Sequence, residues 1–247
     1  MRAILTYHSI DPSGSAISIP AAAFRRHVAW LASAPLRVVR LAELVERAPS
    51  GDAVALTFDD GFANFAEIAA PVLAEHGLTA TVFVVSERVG QMNAWEPPGG
   101  KFPNLPLMDW EQLGRLAEDG FEVGAHTRTH PHLTDLSEDR LRAEVAGSRE
   151  DIRRELGVLP LSFAYPYGAC NRAVEAAAAD SFHIACSTDL NVLDDHPHRA
   201  RLPRLDMYYY RDPARLEAWG TRRFGWHLAV RRVGRKFRER LPLGKSE

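Results

Sequence analysis

Two adjacent carboxylates, Asp59 and Asp60, close the apolar run Leu56, Thr57, Phe58 and are followed by Gly61. Side by side they repel each other, so joint ionisation asks for a cation, a basic side chain or a shared proton. An exposed Asp-Asp-Gly turn would account for this stretch taken alone. Further along, His126 and His130 stand four residues apart in the segment Gly124 to His132. That spacing brings two imidazoles to one side of a helical turn or a tight loop, where both can bind one ion. With an Asp from elsewhere they make a two-His, one-carboxylate set, common to hydrolytic zinc sites and non-haem iron oxygenases. A third stretch, Phe163-Ala164-Tyr165-Pro166-Tyr167-Gly168, places aromatic rings around a proline. It can wall a sugar site and offer a fixed backbone N–H to an oxyanion, or be an ordinary aromatic-proline turn.

Each of these groups follows a predicted strand. Val54 to Phe58, Phe121 to Ala125 and Leu161 to Ala164 are short apolar runs bounded by turn residues. Similar runs occur at Ala3 to Tyr7, Leu36 to Val39, Thr79 to Val85, Phe182 to Cys186 and Leu202 to Asp206. Helical spacing falls between them: after Pro20, over Leu41 to Ala48, from Phe62 to His76 with a kink expected at Pro71, from Asp109, from Ser137 to Leu156, and over Asn171 to Ala179. Strands alternating with helices predict an α/β fold with a parallel sheet. No Gly-rich phosphate-binding pattern favours an open nucleotide-binding sheet, and a closed or partly closed barrel is the expectation. Ligands then bind at the carboxyl ends of the strands, where all three groups lie. The Gly- and Pro-rich stretch from 88 to 108, with Trp95 and Phe102, reads as a long loop, either a binding loop or a surface excursion.

In this order and at these separations, the three motifs resemble the polysaccharide deacetylases of carbohydrate esterase family 4, the NodB-like domain. The opening Tyr7-His8-Ser9-Ile10 is similar to the exopolysaccharide-deacetylase branch. The resemblance covers about residues 3 to 206. It implies a distorted (β/α) barrel of about seven strands, a divalent metal, usually Zn2+, and hydrolysis of the N-acetyl group of an N-acetylhexosamine. Matched residue by residue, it makes Asp60, His126 and His130 the metal ligands and Asp59 the general base, with the backbone N–H of Tyr167 at the oxyanion. Two family features are missing. Ala164 stands where an Arg often orients the catalytic Asp, and the Leu-x-His motif of the general acid is absent in its usual form. Arg204 is a candidate to supply the guanidinium, a surface salt bridge being its plain alternative. His8, His196 and His198 are candidate acids, and Asp189 a candidate supporting residue.

The 247 residues suit one barrel-sized domain, expected over 1–220. The apolar start is too short for a signal peptide or a membrane span, so a cytoplasmic protein with reduced Cys170 and Cys186 is expected. The net charge of −2 is uneven: residues 221–247 hold nine Lys/Arg against two Glu, +7, leaving −9 for the rest. In that tail Trp226, Val230, Val233, Phe237 and Leu241 recur at helical spacing among basic residues. The segment reads as a helix docked on the barrel with a solvated basic face, or as one lying on the inner face of an anionic membrane. Nucleic acid is not an expected partner. The partner expected is an N-acetylated glycan, as polysaccharide, oligosaccharide or lipid-linked precursor; the competing readings are an amidohydrolase acting on a non-sugar C–N bond and a catalytically weak carbohydrate-binding protein.

Overall fold

The computed structural model describes residues 1–47, 49–95 and 102–240, with side chains through 235. The expected helix end at Ala48, the middle of the 88–108 loop and the tail beyond residue 240 lie outside these residues, as do the side chains of Phe237 and Leu241. Seven parallel strands close a ring: β1 (Arg2–Tyr7), β3 (Ala53–Phe58), β4 (Thr81–Val84), β5 (Glu122–Ala125), β6 (Ser162–Ala164), β7 (Ile184–Leu190) and β8 (Leu202–Asp206). Closure comes from β1, which pairs with β3 along its whole length and with β8 at Leu5 and Thr6. A two-residue strand, β2 (Arg37–Val38), sits outside the ring on the first half of β3, opposite Ala53 and Val54, whereas β4 takes the second half at Thr57 and Phe58. The expected barrel of about seven strands is therefore the fold.

Alternation along the strands sorts their side chains into two apolar groups. On β1, Ala3, Leu5 and Tyr7 join one cluster with Phe24, Val28 and Leu73, while Ile4 joins a smaller one with Ala55, Phe83, Ala164 and Leu202. The first cluster takes in the inward stripes of the surrounding helices: α1 (Ala21–Ser33), α3 (Ala70–Glu75), α4 (Trp110–Glu118), α5 (Glu138–Leu156) and α6 (Arg172–Ser181), with the short α2 (Leu41–Glu46) on the second. Asp109 and Asn171 cap α4 and α6 through their side chains. Ahead of α3 the chain makes a π-helical turn, Phe65–Ala69, in place of the kink expected at Pro71. Proline has no N–H to continue the helical ladder and clashes with the preceding turn, and the wider turn absorbs this.

Beyond β8 lie α7 (Pro213–Leu216) and α8 (Arg222–Arg240). Thr221 Oγ1 accepts from Phe224 N at 3.3 Å and caps α8. The helix packs on the barrel through Phe224 and Leu228, both buried, with Phe224 against Tyr210 and Trp219. His227 Nε2 lies 3.1 Å from the Tyr209 carbonyl, and Arg231 stacks over the Tyr209 ring. Trp226, Val230 and Val233, the apolar stripe expected either to dock on the barrel or to lie on a membrane, face outward at 70%, 44% and 64% exposure. The barrel selects the face that carries Phe224 and Leu228, a choice that helical periodicity alone does not contain. Among the described residues no helix is long and apolar enough to cross a membrane.

Candidate active site

Asp59 and Asp60 leave β3 at its carboxyl end and part company there. Asp60 has φ 72° and Gly61 φ 75°, so two successive residues in the left-handed region turn the chain sharply. For a residue with a Cβ this conformation costs on the order of 1–3 kcal/mol and persists where surrounding contacts enforce it. Thr127 (φ 68°), His130 (φ 65°) and Tyr167 (φ 57°) share it, and these four are the non-glycine residues with positive φ among those described. All four lie at the strand ends that carry the three motifs. The backbone strain is concentrated at one site.

Asp59 is 3% exposed and paired with Arg204 through two bonds of 2.7 Å, one to each carboxylate oxygen. Arg204 comes from β8, is itself buried, and is held by the Ser187 carbonyl at 2.9 Å from its Nε. Burial alone would raise the Asp59 pKa, but the Arg204 charge and its hydrogen bonds override this and hold the carboxyl below its usual range. The plain alternative of a surface salt bridge is excluded by this burial.

Asp60 faces the two imidazoles. Its Oδ1 lies 3.4 Å from His126 Nε2 and 3.4 Å from His130 Nε2. That is longer than an ordinary N–H···O bond of about 2.7–3.2 Å. Two atoms each about 2.0–2.1 Å from a tetrahedral zinc ion stand about 3.4 Å apart, so the spacing suits an ion held between them. The three ligand atoms all lie within 4.8 Å of one another, and the three residues are buried. His126 Nδ1 lies 2.8 Å from the Ala164 carbonyl; donation to that carbonyl leaves the Nε2 lone pair for a metal. His130 Nδ1 has no hydrogen-bond partner among the described residues. Its ring is instead stacked on Trp95 at 4.5 Å and met edge-on by Tyr167 at 4.6 Å. The donor set and its geometry fit a divalent ion.

The loop carrying both imidazoles is fastened to α5. Glu144 Oε2 accepts the backbone N–H groups of Arg128 and Thr129, each at 2.9 Å, and its Oε1 accepts the Thr129 hydroxyl at 2.6 Å. Asp151 Oδ2 accepts Arg128 Nε at 2.9 Å and the Ser86 hydroxyl at 2.8 Å. Neither Glu144 nor Asp151 belongs to any of the three motifs. One signal could have found them: they share the helical stripe of Leu141, Val145 and Ile152, so both acids lie on the face that packs inward.

These groups open into a cavity of about 640 Å³. Its walls include Tyr165 and Tyr167, His8 and Asp206, and from the 88–108 loop Trp95 and Phe102; the loop is thus part of the site. The Tyr167 ring also stacks on His132 at 4.1 Å. Gly168 follows with φ 71°, and a Cβ there would collide with Thr188 Oγ1. His8 Nε2 lies 3.8 Å from Asp59 Oδ2. The other candidate acids are elsewhere. Arg2, at the amino end of β1, bonds the carbonyls of Asp194 and Asp195, and Arg199 pairs with Glu46, so the β7–β8 connection that carries His196 and His198 has already crossed to the opposite end of the barrel. Neither histidine lines the cavity. Asp189 is exposed and bound to Arg201 at 2.9 Å, not to a site residue.

The chain belongs to the polysaccharide deacetylase family, whose sequence profile matches residues 46–182. His8 and Arg204 lie outside the matched span. Among similar proteins, YxkH of Bacillus subtilis is 27% identical over 192 residues, which is 75% of this chain and 64% of that protein. The peptidoglycan-N-acetylglucosamine deacetylase of Bacillus cereus is 33% identical over 116 residues, 47% of this chain and 36% of that one. The chain thus spans less than two thirds of these relatives. Solved structures share the fold: the Streptococcus pyogenes deacetylase PplD in complex with acetate has a TM-score of 0.70 at 22% identity, covering 83% of this chain and 91% of that one. IcaB from Ammonifex degensii also has a TM-score of 0.70, at 24% identity, with 83% and 90% covered.

Proposed function

We propose that the protein is a metal-dependent deacetylase that hydrolyses the N-acetyl group of an N-acetylhexosamine within a polysaccharide, an oligosaccharide or a lipid-linked glycan. The observation that carries this reading is the division of two adjacent carboxylates: Asp60 faces His126 and His130, while Asp59 is locked to Arg204 beside them. Asp60, His126 and His130 would hold the ion, for which Zn2+ is the first choice given two imidazoles and one carboxylate. When bound, such an ion acidifies a water and polarises an acetamide oxygen.

The chain's own residues account for the rest. Asp59, kept ionised by Arg204, accepts the proton of the attacking water. The backbone N–H of Tyr167, fixed by its left-handed conformation, donates to the developing oxyanion. His8, within 3.8 Å of Asp59 and lining the cavity, delivers a proton to the departing amine nitrogen. Trp95 and Tyr167 give aromatic walls of the kind on which sugar rings stack.

The test is acetate release from a panel of N-acetylglucosamine oligomers and non-sugar acetamides, before and after chelation and after zinc is restored. The proposal expects release from the sugars that chelation abolishes and zinc restores. Release from the non-sugar amides alone would replace it with the amidohydrolase reading, and binding of the oligomers without release would replace it with the carbohydrate-binding reading.

A further inference from the structure

Helix α8 has two faces with different occupants. One step of the helix turns about 100°, so Phe224, Leu228, Arg231 and Arg235 fall together on the side that meets the barrel. Phe224 and Leu228 are buried there, and Arg235 lines the same cavity as Asp59. The opposite side carries Trp226, Val230 and Val233, all exposed. Arg222 and Arg223, also exposed, flank them. From residue 221 to 235 there are five arginines and no Asp or Glu.

We infer that this outer face is a docking surface for an anionic bilayer, which holds the mouth of the cavity beside glycans anchored in that membrane. The identity of those glycans as N-acetylated substrates rests on the deacetylase reading above; the docking does not. Charge selects the occupant. Guanidinium groups around an apolar centre match a surface of anionic headgroups over hydrocarbon, with Trp226 suited to the boundary between them. A second copy of the chain would bring arginine against arginine. A nucleic acid would meet the arginines but offer no hydrocarbon to Val230 and Val233. Because Arg235 of the same helix borders the cavity, the docked face and the cavity lie on opposite sides of one helix. A membrane-linked glycan chain would reach the site without the enzyme leaving the surface.

The test is co-sedimentation of the full chain with vesicles of phosphatidylcholine, with and without phosphatidylglycerol, at low and at high salt. Binding is expected only with phosphatidylglycerol, reversed by high salt, and accompanied by a blue shift of tryptophan emission that is lost in Trp226→Phe. Each of Arg222→Gln and Arg223→Gln should weaken partition about fivefold, and Trp226→Ser with Val233→Ser should abolish it. All these variants should keep the wild-type melting temperature and acetate release from a soluble oligosaccharide, since none of them touches the cavity. Equal partition onto neutral and anionic vesicles, absence of partition onto either, or undiminished binding by the Trp226→Ser, Val233→Ser variant would overturn the proposal. Partition is read without turnover, so an inactive but vesicle-bound protein would overturn the deacetylase reading and leave docking supported.

Discussion

Asp59 and Asp60 are neighbours in sequence whose surroundings give them different work. Asp60, set against the Nε2 atoms of two imidazoles, is suited to coordination; Asp59, set against a buried guanidinium, is kept ionised and able to accept a proton. Replacing Arg204 by Met leaves the Asp59 carboxylate buried without its partner. Burial then raises the pKa that the guanidinium had lowered, so less of the base is ionised at a given pH, and the acid-side limb of the kcat/KM profile moves to higher pH. The same variant should lose about 3–5 kcal/mol of stability in urea titration, the usual cost of stranding one half of a buried pair. An unshifted limb would remove Arg204 from the proton-transfer machinery. Trp95→Ala should loosen His130, whose ring is oriented by stacking and not by a hydrogen bond on Nδ1. A lower zinc affinity by titration is expected, and unchanged affinity would make Trp95 a cavity wall alone.

At the scale of elements, the loop that carries His126 and His130 is held by α5 as well as by the neighbouring strand end. Residues 126 to 130 contain two positive-φ positions without glycine, and Glu144 accepts two of their backbone N–H groups. Glu144→Gln keeps the shape but turns half of that acceptor into a donor. Zinc affinity should fall about 10–100-fold, as for other groups that orient metal ligands, while the far-UV spectrum stays the same. Equal affinity in the variant would mean that the loop holds its strained conformation unaided. This is also where the sequence was least legible. The strands and helices could be read because apolar runs and helical stripes alternate at regular intervals. The π-helical turn before Pro71, the left-handed conformations of Asp60, Thr127 and His130, and the grip of Glu144 arise from tertiary contacts that no local pattern encodes. The outward turn of Trp226, Val230 and Val233 has the same cause, since the face a helix buries depends on what it meets. His196 and His198 lie away from the site because the direction of the β7–β8 connection, not its composition, decides at which end of the barrel they fall.

For the whole molecule, closure of the barrel ties the site to a buried histidine on α1. His27 is fully buried, with its Nδ1 3.2 Å from the Tyr7 hydroxyl and its Nε2 2.9 Å from the Tyr210 carbonyl. Burial pushes its pKa down to about 4 from 6.5, against the pull of the Tyr210 carbonyl. The unfolded chain therefore binds a proton below about pH 6.5 that the folded chain refuses until about pH 4. Stability from this group is complete above that window and falls as pH drops through it, by about 3 kcal/mol in all. Urea midpoints measured from pH 7 to pH 4 should decline less steeply in His27→Gln than in the wild type. Parallel declines would mean that His27 is not held neutral in the barrel wall.

Bound zinc and acetate release, measured together in three proteins, separate coordination by Asp60 from proton transfer by Asp59. Wild type should hold one zinc per chain and release acetate from N-acetylglucosamine oligomers. Asp59→Asn should hold the same zinc and release almost none, and His126→Ala should lose both. Full zinc and activity in His126→Ala, or loss of zinc in a folded Asp59→Asn, would mean that the two carboxylates do not divide coordination from proton transfer.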